Sequence, residues 1–237
     1  MMKFFDFKLT VKLPTVFPQK RLIANTINPH SYCVAMNDAQ FQEALRSSDI
    51  LVPDGVGVVW ASSFLYKRRI SKISGFDLHF HFLQLLQKKS GGKVFYLGSS
   101  ETALSLIIDR VNKEFPSLNV KTYSPPFKSD FSKKENEAMI RAVNEFEPDL
   151  LFVGMTAPKQ EKWVFQNKEN LKVKVVCSIG AVFDFYAGTI KRPSQFWINL
   201  GLEWFPRFLK EPKRLWRRNL ISTPKFIFEV IRHKLTL

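Results

Sequence analysis

Short β-rich runs alternate with helical stretches from about residue 20 to residue 180, and this alternation constrains the fold more than any other feature of the chain. The runs typical of strands are RLIANT, DILVP, KVFYLG, NVKTY, DLLFVG and KVVCSIG. The helical patterns between them begin at capping side chains, as in DAQFQEALRSS from Asp38, SSETALSLIIDRVNKEF from Ser99 or Ser100, and SKKENEAMIRAVNEF. The pattern predicts an α/β protein with a Rossmann-like, mostly parallel sheet flanked by helices.

The strand signal stops after Gly188, where prolines become more frequent and the segments between them read as short basic amphipathic helices. The formal net charge is +15, and residues 189–237 hold 11 Lys and Arg against 3 Asp and Glu. We therefore expect a Rossmann-like domain over residues 1–190 and a basic aromatic helical appendage over residues 191–237. The charge implies an anionic partner without saying which one.

The start of the chain, MMKFFDFKLTVKLP, lacks a long apolar run and a small-residue cleavage site. The sequence also contains no uninterrupted run of about 18 apolar residues. We expect a chain that is neither secreted nor membrane-spanning. Cys33 and Cys177 fall in apolar stretches, which indicates buried thiols in a reducing compartment such as the cytoplasm.

Isolated polar groups follow several of the predicted strands, in NTINPH, VPDG, VGMTAPKQEKW and SIGAVFDFYAG. Ligands of open parallel sheets bind at the carboxyl ends of the strands, so these groups are the first candidates for a site. Asp54 lies between Pro53 and Gly55 with apolar sequence on both sides. Such an aspartate is either a turn or cap residue or a general base, and the local sequence leaves both open.

Several sequence motifs of metal-binding, nucleotide-binding and nucleophilic enzymes are absent. The sequence has no D-x-D pair, no phosphate-binding G-x-x-x-x-G-K-[ST] loop and no G-x-S-x-G, and YLGSSE keeps one glycine of a dinucleotide fingerprint. The four histidines lack ligand spacing, because His79 and His81 point to different sides of a helix. We expect neither a metal nor a cofactor, so arginines would have to neutralise any bound phosphate.

Five segments resemble motifs of the bacterial WecG/TagA/CpsF glycosyltransferases. They occur in the same order and at approximately the same spacing as in that family, over roughly residues 20–220. They are TIN, PDGVGV, APKQEKW, GAVFDFYAGTIKRP and GLEWFPRFLKEPKRLWRR. The resemblance implies transfer of a sugar from a UDP-sugar to a sugar on undecaprenyl diphosphate, with inversion and without a metal. It also implies a peripheral enzyme on the inner face of the cytoplasmic membrane that makes surface polysaccharide or teichoic acid. The donor sugar, the acceptor lipid and the oligomeric state stay open, and a homo-oligomer is one of the open alternatives.

Residue by residue, the resemblance implies that Asp54 deprotonates the acceptor hydroxyl and that arginines of the appendage meet the diphosphate, namely Arg207, Arg214 and Arg217. The residues expected at the sugar substrates are Thr26, Asn28, Lys72, Gln160, Glu161, Asp184, Gly188 and Arg192. Apart from the resemblance, the basic aromatic chemistry of the segment predicts that an anionic membrane surface meets Trp204, Phe205, Phe208, Lys210, Lys213 and Trp216.

The chain departs from the family at three places: Lys72 stands where Arg is usual, SPPF (residues 124–127) replaces a Gly-Tyr-Phe turn, and Ala181 stands where Gly is common. Two other functions stay open beside a glycosyltransferase. A nucleic-acid-binding protein would use the basic aromatic segment to track phosphates and stack bases, but the polar strand ends would then have no role. A nucleotide-sugar epimerase or dehydrogenase would need the glycine-rich fingerprint that is missing. We therefore expect no nucleic-acid partner.

Overall fold

A computed structural model of the chain describes residues 1–191, 193–194, 196–197, 202 and 204–236. Among the predicted site residues, Arg192 lies outside the described residues, and so do the side chains of Arg207, Lys210 and Arg214.

The described strands form a six-stranded parallel sheet and a two-stranded antiparallel hairpin. Their bounds are β1 Met2–Phe4, β2 Phe7–Leu9, β3 Leu22–Ile27, β4 Ile50–Pro53, β5 Lys93–Gly98, β6 Asn119–Tyr123, β7 Leu150–Gly154 and β8 Val175–Ser178. The hairpin pairs β1 with β2, and the large sheet has the order β4-β3-β8-β7-β5-β6. All six strands of the large sheet were predicted from the sequence, and the α/β class is confirmed.

The helices lie between the strands and continue after the last one. Their bounds are α1 Pro29–Ala35, α2 Ala39–Arg46, α3 Val56–Tyr66, α4 Gly75–Gln87, α5 Glu101–Glu114, α6 Lys133–Phe146, α7 Lys159–Asn167, α8 Val182–Ala187, α9 Trp204–Lys210, α10 Pro212–Trp216 and α11 Thr223–Leu235. A π-helical turn, Arg217–Ser222, joins α10 to α11 with helical backbone angles at both junctions. Across the described ranges, none of these helices has the length and apolar character needed to cross a membrane.

The predicted capping side chains begin their helices. Asp38 accepts a hydrogen bond from the backbone N–H of Phe41 at the start of α2, and Ser100 caps α5 in the same way. Ser132 and Glu135 form a reciprocal capping box at α6. Each cap satisfies backbone donors that the first turn of a helix leaves without partners, which explains why these boundaries can be read from the sequence.

Apolar side chains alternate between the two faces of the sheet, and each face has its own cluster. Along β8, Val175 and Cys177 belong to the cluster covered by α4, α5 and α8, whereas Val176 belongs to the cluster on the opposite face with α6 and α7. Strands buried on both faces are typical of parallel sheets. The carboxyl ends of the strands therefore meet at one edge between two rigid helical layers.

A third apolar cluster joins the hairpin to α1, α2, α3 and α11. Met2, Phe4, Phe7 and Leu9 alternate with exposed lysines, a period-two pattern that the sequence analysis did not use. The hairpin is attached to the sheet by the backbone N–H of Thr10, which donates to the carbonyl of Leu51 (2.8 Å). The last helix thus packs on the same cluster as the first strands, and the division at residue 190 stays a prediction.

Candidate active site

The carboxyl ends of β3 and β4 lie side by side and carry two predicted residues. Asp54 follows β4, and its backbone N–H donates to the carbonyl of Ile27 at the end of β3 (2.8 Å). Gly55 has a φ of 102°, a conformation that glycine adopts without strain. A β-carbon built on Gly55 would stand 4.0 Å from Cβ of Asn28. The loop that holds Asp54 therefore turns directly beside Asn28.

Asn28 caps α1. Its Oδ1 accepts from the backbone N–H groups of His30 and Ser31 (3.0 Å each), so the amide NH₂ is the group that this side chain can offer a ligand. Thr26 lies two residues earlier, half-buried and in register with Val52 of β4. The Thr-x-Asn element thus combines a helix start with a polar position on the sheet.

The segment that contains Lys72 runs along the end of β4. The backbone N–H of Ile73 donates to the carbonyl of Pro53 (2.9 Å), and Nζ of Lys72 is shielded from solvent. A β-carbon built on Gly75 would stand 3.2 Å from Val182 at the start of α8. This segment therefore bridges the Asp54 loop and the end of β8.

Gln160 and Glu161 form a buried polar pair in the first turns of α7. The Gln160 Nε2 donates to Oε1 of Glu161 (2.8 Å), and the Gln160 Oε1 accepts from the backbone N–H of Met155 (3.2 Å). A β-carbon built on Gly180 would stand 3.1 Å from the same Oε1. The Gln160 amide is thus fixed between the ends of β7 and β8, with the Glu161 carboxyl behind it.

Burial raises the pKa of Glu161 to about 7, although the hydrogen bond from Gln160 acts in the opposite direction. The Oε2 of Glu161 is buried and finds no hydrogen-bond partner among the described residues. A buried carboxyl without a cation beside it favours its neutral form. Near neutral pH this side chain therefore changes charge at the edge of the site.

Two buried polar residues on β3 and β8 were missed by the sequence analysis. Asn25 and Ser178 occupy neighbouring strands just beyond the paired residues Ala24 and Cys177. The Asn25 Oδ1 and the Ser178 Oγ are shielded from solvent and find no partner within the described part of the chain. Buried polar atoms of this kind are usually satisfied by water or a ligand. The signal that could have identified Asn25 and Ser178 in the sequence is a polar residue within a mostly apolar strand.

Helix α8 places Asp184 and Gly188. Ala181 precedes the helix with a φ of −60°, so an alanine fits where the family commonly has glycine. Gly188 ends the helix in the left-handed conformation, with a φ of 79°. The guanidinium of Arg110 donates to the carbonyl of Tyr186 (3.0 Å) and lies over that ring. These contacts fix α8 against α5. Asp184, in the first turn of α8, is thereby held near the end of β8.

The segment after α10 lies against α1, next to the Thr-x-Asn element. The Ser222 Oγ is 2.9 Å from Nδ1 of His30, and burial together with the charge of Arg218 lowers the pKa of His30. Arg217 lies over the ring of its neighbour Trp216, 5.4 Å from the centroid. The sequence analysis named Arg217 and missed Arg218, whose charge acts on His30.

The predicted membrane residues lie on α9 and α10. Trp204, Phe205, Lys213 and Trp216 are exposed and Phe208 is half-buried, while the side chain of Lys210 lies outside the described residues. Ring contacts join Trp204 to Phe205 (5.7 Å between centroids) and to Phe208 (6.5 Å). The aromatic side chains of α9 therefore form one group.

Close backbone approaches therefore link the segments that carry the predicted residues: Gly55 to Asn28, Ile73 to Pro53, Gly75 to Val182 and Gly180 to Gln160. Within the described ranges, no group of three or more His, Cys, Asp or Glu side chains is arranged to hold a metal ion. The arrangement offers one carboxylate at a turn, amide donors on two sides, and lysine and arginine charge nearby.

We expect Glu161→Gln to remove a pH-dependent loss of stability. Because its pKa is raised, native Glu161 keeps a proton that the unfolded chain releases, so the free energy of unfolding falls as pH rises from about 4.5 to about 7 and is level above that. Urea unfolding at pH 5 and pH 8 measures the effect. The free energy of unfolding of the variant, relative to that of the native protein, should be higher at pH 8 than at pH 5 by about 2 to 3 kcal/mol. The exposed Glu137→Gln should show no such gain, and a variant that tracks the native protein at both pH values would contradict this assignment.

Comparison with protein families matches residues 12–237 to a family described as the glycosyl transferase WecG/TagA/CpsF family. Three relatives carry the name N-acetylglucosaminyldiphosphoundecaprenol N-acetyl-beta-D-mannosaminyltransferase. The protein of Bacillus spizizenii W23 is 34% identical over 211 residues, which cover 88% of this chain and 78% of the relative. That of Bacillus subtilis 168 is 28% identical, with 90% and 80% covered, and that of Staphylococcus aureus MW2 is 27% identical, with 97% and 91% covered.

Proposed function

The chain belongs to the WecG/TagA/CpsF family of glycosyltransferases, and on that premise we propose that it transfers a sugar of the N-acetylmannosamine or glucose type from a UDP-sugar to a sugar carried on undecaprenyl diphosphate. The observation that carries the proposal is the placement of Asp54, whose loop turns beside Asn28 at the carboxyl edge of the sheet. The names of the relatives support the proposed acceptor, because they include N-acetylglucosaminyldiphosphoundecaprenol as the substrate of those proteins.

In the proposed reaction the Asp54 carboxylate takes the proton of the acceptor hydroxyl. The acceptor oxygen then forms a bond to the anomeric carbon of the donor while the bond from that carbon to the UDP oxygen breaks, and the electron pair leaves with UDP. A single displacement of this kind inverts the configuration at the anomeric carbon. We propose that the amide of Asn28 holds the acceptor or the sugar in line with the base.

The leaving diphosphate gains negative charge, and we propose that Lys72 and the appendage arginines stabilise it without a metal. Nζ of Lys72 is already shielded from water, which strengthens its electrostatic effect. Arg207, Arg214 and Arg217 would join it when the appendage meets the bound donor. Turnover and vesicle binding of an Arg217→Ala variant test this role: turnover should fall while vesicle binding is kept.

We propose that the buried pair Gln160 and Glu161 supports the donor from the ends of β7 and β8. The Gln160 NH₂ already donates one hydrogen to Glu161, and its second hydrogen is left for a ligand. Asp184 and Gly188, with Arg192, would complete the same side. The proposal places the protein at the inner face of the cytoplasmic membrane, with Trp204, Phe205, Phe208, Lys210, Lys213 and Trp216 at the anionic lipid surface.

A donor screen tests the proposed function. UDP release is measured for a panel of UDP-sugars, with and without an undecaprenyl-diphosphate N-acetylglucosamine acceptor and in the presence of a metal chelator. We expect one donor to give acceptor-dependent UDP release that persists in the chelator. A panel in which no donor responds to the acceptor would contradict the proposed reaction, and activity that the chelator abolishes would contradict metal independence.

A further inference from the structure

The outer face of α3 is apolar although it faces solvent. Val56, Trp60 and Phe64 are exposed to 48%, 42% and 41%, and the rings of Trp60 and Phe64 stack with centroids 5.3 Å apart and planes at 12°. The spacing of four residues puts the three side chains, hereafter the α3 ridge, on one side of the helix. Val58, Ala61 and Leu65 on the other side are buried in the core.

A second exposed apolar face lies on α11, beside α3. Phe226 and Val230 of α11 share one cluster with Val58, Ala61 and Leu65 of α3, and Nζ of Lys234 donates to the carbonyl of Leu65 (3.1 Å). The exposed residues opposite this buried side, hereafter the α11 ridge, are Phe228, Ile231 and Leu235. Because the two helices pack on the same cluster, both ridges point away from it.

Basic side chains border this surface. Lys67, Arg68 and Arg69 directly follow α3 and are exposed, and α3 itself carries no charged residue. On α11 the exposed Lys225 and Arg232 flank the ridge, and Glu229 is bound to Arg232 (3.1 Å). Apolar side chains with basic residues at their margin match the chemistry of an anionic bilayer, where acyl chains lie below negatively charged headgroups.

We propose that the α3 ridge, the α11 ridge and the basic residues 67–69 form a face that docks on an anionic lipid bilayer. The charge favours lipid over a second copy of the chain, since a two-fold contact would bring the same basic border against itself. Helix α3 belongs to the predicted catalytic part of the chain, and α11 packs on the same cluster, so this face is additional to the aromatic residues of α9 and α10.

Docking through α3 would explain how the site reaches a lipid-linked sugar. Helix α3 begins at Val56, two residues after Asp54, and its 11 residues span about 16 Å. An amphipathic surface inserts about 5–10 Å into the boundary between headgroups and acyl chains. The Asp54 loop would then lie close to the headgroup layer, where the acceptor diphosphate resides. This consequence rests on the proposed function, whereas the docking itself does not.

Vesicle sedimentation with the full chain tests the docking face. The vesicles contain phosphatidylcholine and phosphatidylglycerol in equal amounts, or phosphatidylcholine alone. We expect the double variant Trp60→Gln, Phe64→Gln to bind the anionic vesicles at least about tenfold more weakly than the native chain, since both rings lose apolar burial. The matched control is Phe127→Gln, which removes an exposed aromatic side chain in the loop between β6 and α6 and should bind as the native chain does.

A charge variant gives an independent readout. Replacing Lys67, Arg68 and Arg69 together by Glu should weaken binding to the anionic vesicles and leave the weak binding to phosphatidylcholine unchanged. Native-like binding by both the ridge variant and the charge variant would overturn the proposal. A ridge variant that keeps full vesicle binding but changes from dimer to monomer in analytical ultracentrifugation would overturn it in favour of a contact between copies.

The same proteins are assayed with a short-chain, water-soluble acceptor. The ridge variant should keep native turnover there, because its side chains point away from the core and are not part of the site. If no donor supports transfer by any of the proteins, the proposed reaction fails, while the vesicle result still decides the docking face.

Discussion

Asp54→Asn should lower turnover by about 10²- to 10⁴-fold, the range that a positioned general base contributes. The substitution keeps the size of the side chain and the backbone bond from residue 54 to the carbonyl of Ile27. It removes only the group that accepts the proton. The loss corresponds to about 3 to 5 kcal/mol of transition-state stabilisation. Acceptor-dependent UDP release measures it, with the donor that the screen identifies.

The control for this variant is Asp109→Asn, the same change on the exposed side of α5. It should leave turnover and the free energy of unfolding within error of the native values. Donor binding, measured by calorimetry with UDP, should survive in Asp54→Asn because the base contacts the acceptor and not the nucleotide. Full turnover by Asp54→Asn would remove this residue from the mechanism and reduce it to a turn residue.

The sequence predicted the main sheet because its strands are short β-rich runs that small or polar residues follow. The boundaries of α2, α5 and α6 were equally readable, since Asp38, Ser100 and Ser132 cap them through local hydrogen bonds. Pro212 separates α9 from α10, as expected for a residue without a backbone N–H. These features are local, so the sequence alone carries them.

The site was predictable in part. The positions of Asp54 and Asn28 follow from the rule that ligands bind at the carboxyl ends of parallel strands, but their residue roles came from the family resemblance. Asn25 and Ser178 were missed because they become neighbours only through the pairing of β3 with β8, about 150 residues apart in the chain. Arg218 was missed because the π-helical turn, and not sequence spacing, decides which arginine acts on His30.

The role of α11 also depends on tertiary packing. The sequence analysis interpreted the segments after Gly188 as short basic amphipathic helices and therefore assigned this helix to the appendage. Phe226 and Val230 are fully buried against residues of the hairpin, α1 and α3. The Cys33 thiol donates to the carbonyl of Ser222 just before the helix (3.3 Å). Removal of everything after residue 190 would therefore expose a core cluster as well as remove the predicted membrane residues.

Phe226→Ala should lower the free energy of unfolding by about 3 to 5 kcal/mol, the usual cost of truncating a buried phenylalanine to alanine. Its ring is fully buried and lies against the rings of Tyr32 (5.3 Å) and Phe4 (6.4 Å). The matched control is Phe228→Ala on the same helix, where the ring is 64% exposed and the change should cost less than about 0.5 kcal/mol. Urea unfolding measures both variants, and equal costs would contradict the packing of α11. A large difference means that point variants on the helix surface, and not truncation, must separate membrane docking from folding.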